Sequence, residues 1–553
     1  MKARWFARLH PGVAQAAEEL RAGEVSRREF LRQATLLGTS AAAAAALAAG
    51  VLGGPRAAAA QGAPGRERPR RGGHLRCSMR VQQMTDPATF DWAEKSNVAR
   101  QVLEYLTVTD PDNVTRPWLC ERWEPSADLK TWTLHLRRGV RWSNGDAFTA
   151  DDVVVNFRRW LDPATGSSNL GLFQALAPGS GGGTGVERAD DHTVRLHLGR
   201  PELAIPENLY SYPAAMVHRR FAEEGGDFSR NPVGTGPFRL AGFQVGRLAE
   251  LVKRPPADYW GPEVYLERIT YLDHGDEAAA GLAALASGQV DLVYEAFVEQ
   301  LEVIARLPDV RLYEQLTANT GLARMQVDRP PFTDRRVRAA LRLCQDHARL
   351  LELAHRGRGA PAHDHHVAPV QPDHAPMPVP RRDIERARRL LRQAGHGDGL
   401  ELTIDVKKEP PWELAAVQAL AEMCRPAGIR IRINPMPNAQ YWDVWDKTPF
   451  GFTAWTHRPL GVMTLNLAYR SGVPWNETHY DNPVFDHLLD RAGATLSIAE
   501  RRRHMGRLQA MLQADAVMAQ PFWRAVFAAG HRRVRGYRLH PTFYHQLNGV
   551  WMA

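Results

Sequence analysis

The sequence predicts an α/β protein with at least two cores, on three observations. Strand-period and helix-period segments interleave along the whole chain. The 553 residues exceed what one hydrophobic core organises, since single cores stop growing near roughly 250–300 residues. Proline and glycine clusters punctuate the chain, and no internal repeat is visible.

From the N-terminus, Ser26-Arg27-Arg28-Glu29-Phe30-Leu31-Arg32 has the order of a twin-arginine export signal. An alanine-rich run from Ala34 to Gly53 follows, with only Leu36, Leu37, Leu47, Val51 and Leu52 as large apolar residues. A bilayer span needs roughly 20 strongly apolar residues, so this run is a poor one. Ala58-Ala59-Ala60 offers a small-residue cleavage site, which makes residues 1–60 a signal peptide and starts the mature chain near Gln61. No cysteine follows the run, so the product is expected to be soluble, periplasmic and without a lipid anchor there. Residues 61–73 (QGAPGRERPRRGG) read as a disordered linker, with too little apolar surface to fold.

In the mature region Thr131–Leu136 (TWTLHL) alternates with strand period and puts Trp132, Leu134 and Leu136 on one face. Asp190-Asp191 then turns the chain into a second such strand, Thr193–Leu198. Thr149 caps a predicted helix whose Val153, Phe157 and Trp160 share one face. Gly181-Gly182-Gly183 reads as a surface loop, and His355–Pro380 as a long irregular excursion. Arg382–Ala394 and Pro411–Arg425 read as amphipathic helices, and Gly428–Asn434 as a strand with isoleucines on one face and arginines on the other.

Charge and cysteine usage exclude several classes. Residues 1–60 hold eight Lys or Arg and four Asp or Glu, hence +4 of the formal +9, and leave about +5 on the rest. Nothing in that spread resembles a nucleic-acid footprint. Cys77, Cys120, Cys344 and Cys424 stand singly, without zinc-ligand spacing. An oxidising compartment permits a disulfide, and four cysteines allow three full pairings. No GxSxG, HExxH, P-loop or Cys/His context for catalysis occurs, so no enzymatic activity and no cofactor is expected.

Four ordered blocks then carry a family resemblance. Leu119–Leu136 (LCERWEPSADLKTWTLHL) continues into Leu136–Gly145 (LRRGVRWSNG) and Phe148–Val153 (FTADDV). Pro232–Phe238 (PVGTGPF), Ser287–Leu292 (SGQVDL) and Pro330–Leu341 (PPFTDRRVRAAL) follow. Together they resemble the family 5 solute-binding proteins of the peptide and nickel ABC importers. Read as scaffold, Gly234 and Gly236 suit a tight turn of unusual φ/ψ, Asn144-Gly145 a hairpin turn, and Asp334 a helix start. The resemblance implies a type II periplasmic binding protein fold of the large peptide-binding subclass, two-lobed, with an interlobe ligand cleft and a two-crossover hinge. Lobe I is expected at 74–317, lobe II at 318–519, and a return to lobe I at 520–553. It also implies a monomer that passes a small molecule or short peptide to an ABC permease and ATPase complex, after export through the twin-arginine translocase.

In the peptide-binding members a Trp-x-x-Asp segment presents an acid to the ligand's α-amino group. The corresponding stretch resembles Trp455-Thr456-His457-Arg458, with arginine where the aspartate would stand. An arginine there would repel an ammonium and accept a carboxylate or phosphate bidentately. Met84-Thr85-Asp86 resembles a cleft-lining loop, and Tyr469, Arg470, Trp475 and Asn476 follow the anchor on the same expected wall. Lys407 and Lys408 end a strand and are candidates for added positive charge. His363-Asp364-His365-His366 supports an alternative reading, a nickel-type metal or metal-chelate binder, because imidazole suits nickel, copper and zinc. No periodic spacing fixes a geometry there, so no metal site is assigned.

Overall fold

The computed structural model describes residues 9–52, 67–176, 185–275 and 277–553. Ala58-Ala59-Ala60, residues 61–66 of the linker and the Gly181-Gly182-Gly183 loop lie outside them. The chain divides into two compact units. Unit 1 comprises Met1–Glu314, Gly493–Glu500 and Phe527–Ala553; unit 2 comprises Gln315–Ala492 and Arg501–Val526. Two of the boundaries fall inside the strands Val310–Met325 and Phe522–His531 rather than in loops.

Unit 1 begins with helices α1 (Pro11–Ala22), α2 (Arg27–Leu36) and α3 (Ala41–Val51). Ser26 and Glu29 form a capping box at the start of α2, each side chain accepting the other residue's backbone N–H. These helices pack on the body of the unit: Phe30 is fully buried, Trp123 Nε1 donates to the Leu36 carbonyl at 2.9 Å, and Arg32 Nη2 to that of Asp112 at 2.7 Å. No helix among the described residues is long and apolar enough to cross a membrane.

Strand β1 (His74–Ser78) and helix α4 (Ala93–Ala99) follow. An antiparallel sheet comes next, ordered β2 (Cys120–Pro125), β3 (Thr131–Leu136), β5 (Thr193–His197) and β4 (Val186–Asp190). Trp132, Leu134 and Leu136 all lie on the buried face of β3, so period-two patterning is read directly into packing. Helix α5 (Ala150–Leu161) starts at a Thr149–Asp152 capping box and buries Val153, Phe157 and Trp160 completely. The main sheet of the unit is ordered β6 (Phe238–Gln244), β7 (Leu248–Lys253), β8 (Arg268–Leu272), β1, β9 (Leu292–Ala296) and then residues 527–531. β1 runs parallel to β8 and β9.

The C-terminal residues complete this unit. Asn97 of α4 donates to the Phe543 carbonyl and accepts from the His545 N–H, both at 2.9 Å, and Gln101 donates to the His545 carbonyl at 2.9 Å.

The expectation for Gly234 and Gly236 needs correction. Neither has a positive φ. A Cβ on Gly234 would stand 2.0 Å from the Val102 carbonyl oxygen, and one on Gly236 would stand 2.7 Å from the same atom. Glycine is required because another backbone passes against the turn, not because of the turn's dihedrals.

Burial of Glu94 in α4 gives unit 1 a pH dependence. Its carboxyl is pushed up to about 8 by desolvation, and Oε2 has no hydrogen-bond partner. The folded state therefore keeps a proton that the unfolded chain releases near its ordinary value of 4.5. Stability should fall as pH rises from about 4.5 to about 8, by up to about 1.4 kcal/mol per pH unit. Urea melts at pH 5 and 8 should show this loss, and Glu94→Gln should shrink it; an unchanged slope in the variant would refute the assignment.

In unit 2 the sheet order is β13 (Ile429–Met436), β12 (Leu400–Lys407), β14 (Phe450–Trp455) and β10 (Val310–Met325), and β11 (Gly359–Pro361) lies between β10 and β12 in the chain. β12 is parallel to β13 and β14, and β14 pairs antiparallel with Thr320–Met325 of β10. Helix α6 (Arg335–Leu343) starts at Asp334, whose side chain accepts the Arg336 N–H. Helices α7 (Ile384–Gln393) and α8 (Pro411–Cys424) match the two predicted amphipathic segments to within two residues at each end. All four cysteines are buried free thiols.

Candidate functional site

The predicted anchor lies at the end of β14, where Thr320 pairs with Trp455. The Trp455 indole is buried and its Nε1 donates to Glu477 Oε1 at 2.7 Å. Glu477 Oε2 accepts from Thr453 Oγ1 at 2.6 Å and from Arg324 Nε at 3.1 Å. Thr453 gives its only proton to Glu477, so Tyr441 donates its own to Thr453 Oγ1 across 2.7 Å. Burial pushes the Glu477 carboxyl up, while Arg324, Thr453 and Trp455 pull it back. Arg324, itself fully buried, also donates to the Thr448 and Trp445 carbonyls. A charged brace behind the sheet thus fixes the orientation of the tryptophan.

The indole sits in an aromatic cluster rather than presenting an open face. His366 stands edge-on to Trp455 at 5.2 Å and to Tyr469 at 5.7 Å, and Trp475 is edge-on at 6.0 Å. Trp475 continues to Trp445 and Trp442 at 6.2 and 5.9 Å, all three partly exposed. Tyr469 Oη is 2.9 Å from His366 Nδ1. Burial and the nearby Arg458 charge lower His366 to about 3, so its imidazole is neutral at physiological pH.

Arg458 is buried, 5% exposed, and its Nη1 donates to Thr456 Oγ1 at 2.7 Å and to the His457 carbonyl at 3.2 Å. His457 is committed to β10: its N–H donates to Asn319 Oδ1 and its Nδ1 accepts the Ala318 N–H. Arg470 bonds Asn466 and Asp490, and Asn476 ties together the Arg470 and Tyr480 carbonyls, so both act locally as scaffold. Lys407 differs from its expectation, being buried against Glu413 at 3.0 Å and beneath the Trp442 ring.

In unit 1, Met84 is buried and Thr85 exposed. Asp86 caps Pro87–Thr89 through Oδ1 and pairs with Arg159 through Oδ2. A groove of about 1200 Å³ elsewhere in unit 2 is bordered by Arg388, Arg392, Arg425 and Arg430, and no predicted site residue lines it. Sequence reading missed Glu477, Arg324 and His366 as parts of the Trp455 cluster. The one available signal was a glutamate adjoining Asn476, at the end of the segment already singled out.

The α/β architecture is shared with solved periplasmic binding proteins. A solved example is an ABC transporter-associated periplasmic binding protein, DppA, from Helicobacter pylori in complex with a peptide. It has TM-score 0.74 and 20% identity, over 87% of this chain and 98% of that one. Residues 114–475 match the bacterial extracellular solute-binding proteins, family 5 middle, and the chain belongs to that family. Its members are solute-binding proteins, not enzymes. The periplasmic oligopeptide-binding protein OppA of Salmonella typhimurium is 25% identical over 472 residues, 80% of this chain and 85% of its own. A probable deoxycholate-binding periplasmic protein, YgiS of Escherichia coli, is 26% identical over 494 residues, 83% and 90% of the two chains.

Proposed function

We propose that this chain is the periplasmic substrate-binding component of an ABC importer, taking a small organic solute that is peptide-like or anionic. It would deliver that solute to the membrane permease and its ATPase. The observation that carries the reading is Arg458, a buried cation three residues past β14 whose charge acts on His366, the ring packed edge-on against Trp455. A buried guanidinium favours a carboxylate or another acceptor-rich group. The wall assigned to the ligand comprises Trp455, Thr456, Arg458, Tyr469 and Trp475. The names of the relatives support breadth of ligand within the family, one being oligopeptide-binding and another probably deoxycholate-binding. The same reading includes export by the twin-arginine route, a periplasmic location without a lipid anchor, and action as a monomer.

The test begins with mass spectrometry of whatever co-purifies, followed by calorimetry with that solute. Arg458→Asp should weaken binding by about 2–5 kcal/mol, as expected when one partner of a buried charge contact is lost. Undiminished affinity in a folded variant would overturn the assignment of Arg458.

A further inference from the structure

Apart from the Trp455 wall, unit 2 brings three imidazoles together. His363 and His365 lie on the irregular segment after β11, and His374 ends the next turn of chain. Asp364 and His366 both adopt left-handed backbone conformations, each with φ of 54°, and the His363 and His365 rings stack at 5.3 Å. The His374 ring is 5.9 Å from the first and 5.7 Å from the second. One nitrogen from each of the three lies within 4.8 Å of the others. His366 is not among them, because it faces Tyr469 and Trp455. Asp364 is not either: Gln345 and the Gln520 N–H hold its Oδ1, and His347 is 3.5 Å from its Oδ2.

The three rings are poorly satisfied by the protein. His363 Nδ1 and His374 Nε2 are buried without a hydrogen-bond partner. His365, fully buried, faces N–H donors at both nitrogens: Gln509 at 3.1 Å from Nε2 and Val367 at 3.3 Å from Nδ1. The Gln509 amide is fixed by the Ala375 N–H and carbonyl, each at 2.9 Å, so it cannot flip to relieve this. A neutral imidazole has one lone pair, so one of these contacts is donor against donor. Leaving such groups buried and unmatched is costly. Two left-handed non-glycine residues on the same segment add strain, a combination that clusters at ligand sites.

We propose that His363, His365 and His374 form a resident site for a divalent transition metal of the zinc class, which ties the 363–366 turn to the turn at 374. Three imidazoles with a fourth position for water suit zinc, cobalt or nickel. Tetrahedral coordination at about 2.0–2.1 Å needs nitrogens roughly 3.3 Å apart, so the most separated of them must close by up to about 1.5 Å. The site is distinct from the transport function: its metal is a structural staple, not cargo.

The test uses full-length protein without an affinity tag, stripped with a chelator and titrated with zinc chloride or cobalt chloride alone. One equivalent should bind with a submicromolar Kd. The cobalt form should show visible d–d absorption, with paramagnetically shifted ring protons from three imidazoles. Zinc should raise the unfolding midpoint of the wild type by several degrees. His363→Ala and His374→Gln should each weaken binding by about 100-fold and abolish that shift, while His487→Ala at an exposed position changes neither. Solute binding should persist in the stripped protein. The proposal is overturned if the wild type binds no stoichiometric zinc, if the cobalt form lacks the imidazole signals, or if affinity survives both cluster variants. The wild-type spectra decide the matter even where a variant does not fold.

Discussion

Replacing Glu477 with alanine is expected to lower the unfolding free energy by about 3–5 kcal/mol, among the largest effects of any single change. Arg324 and Glu477 are 0% and 2% exposed, so removing the carboxylate strands a guanidinium where water cannot reach it. It also leaves the Thr453 hydroxyl and the Trp455 indole N–H without their acceptor. Arg324 cannot swing out, because its other nitrogens hold the Thr448 and Trp445 carbonyls. Thermal melts should show a midpoint lower by about 10 °C, with altered tryptophan fluorescence as Trp455 loses its tether. The double variant Arg324→Met/Glu477→Leu should recover only the part of the loss that comes from the stranded guanidinium, since the Thr453 hydroxyl, the Trp455 N–H and the Thr448 and Trp445 carbonyls still lack their partners. A Glu477→Ala variant within 1 kcal/mol of wild type would show that the brace is not what holds the sheet end together.

Gly234→Ala should cost about 3 kcal/mol or more, at the upper end of overpacking penalties. The added methyl would lie 2.0 Å from the Val102 oxygen and 2.6 Å from its carbon, and backbone has no rotamer with which to yield. The turn is also stitched in place: the Gly236 N–H donates to the Val102 carbonyl at 2.8 Å, and the Ser143 N–H to that of Gly234 at 2.9 Å. Gly549→Ala is the matched control, since nothing lies within 4 Å of its Cβ position and its φ is not positive. Denaturant melts of the two variants should differ by several kcal/mol; equal midpoints would mean the close approach relaxes freely.

These two sites mark where sequence reading succeeds and where it stops. The alternation of Thr131–Leu136 and the cap at Thr149 were legible because their causes are local, a two-residue pleat and a three-residue capping box. The need for glycine at 234 was legible, but its reason was not, because the obstructing carbonyl belongs to Val102. The candidate wall was legible only in part. A search for an acid three residues beyond Trp455 finds Arg458, whereas the acid that touches the indole is Glu477, 22 positions on. Lys407 at a strand end carried no sign of burial, because Glu413 reaches it from α8 and Trp442 from another segment. The three-histidine cluster was half visible: two of its members sit in the HDHH run, and folding exchanges His366 for His374.

The way residues 527–553 close unit 1 has a kinetic meaning during synthesis. Asn97, Gln101 and strand β9 take partners from this final stretch. Glu314 leaves the ribosome more than 200 residues before Phe527. At about 5–20 residues per second the interval is roughly 10–40 s. Throughout it β9 keeps an open edge, the kind of surface that recruits unintended strands. Unit 1 is therefore a late-finishing unit: its first-made half must wait, unclosed, until residues 527–553 are translated.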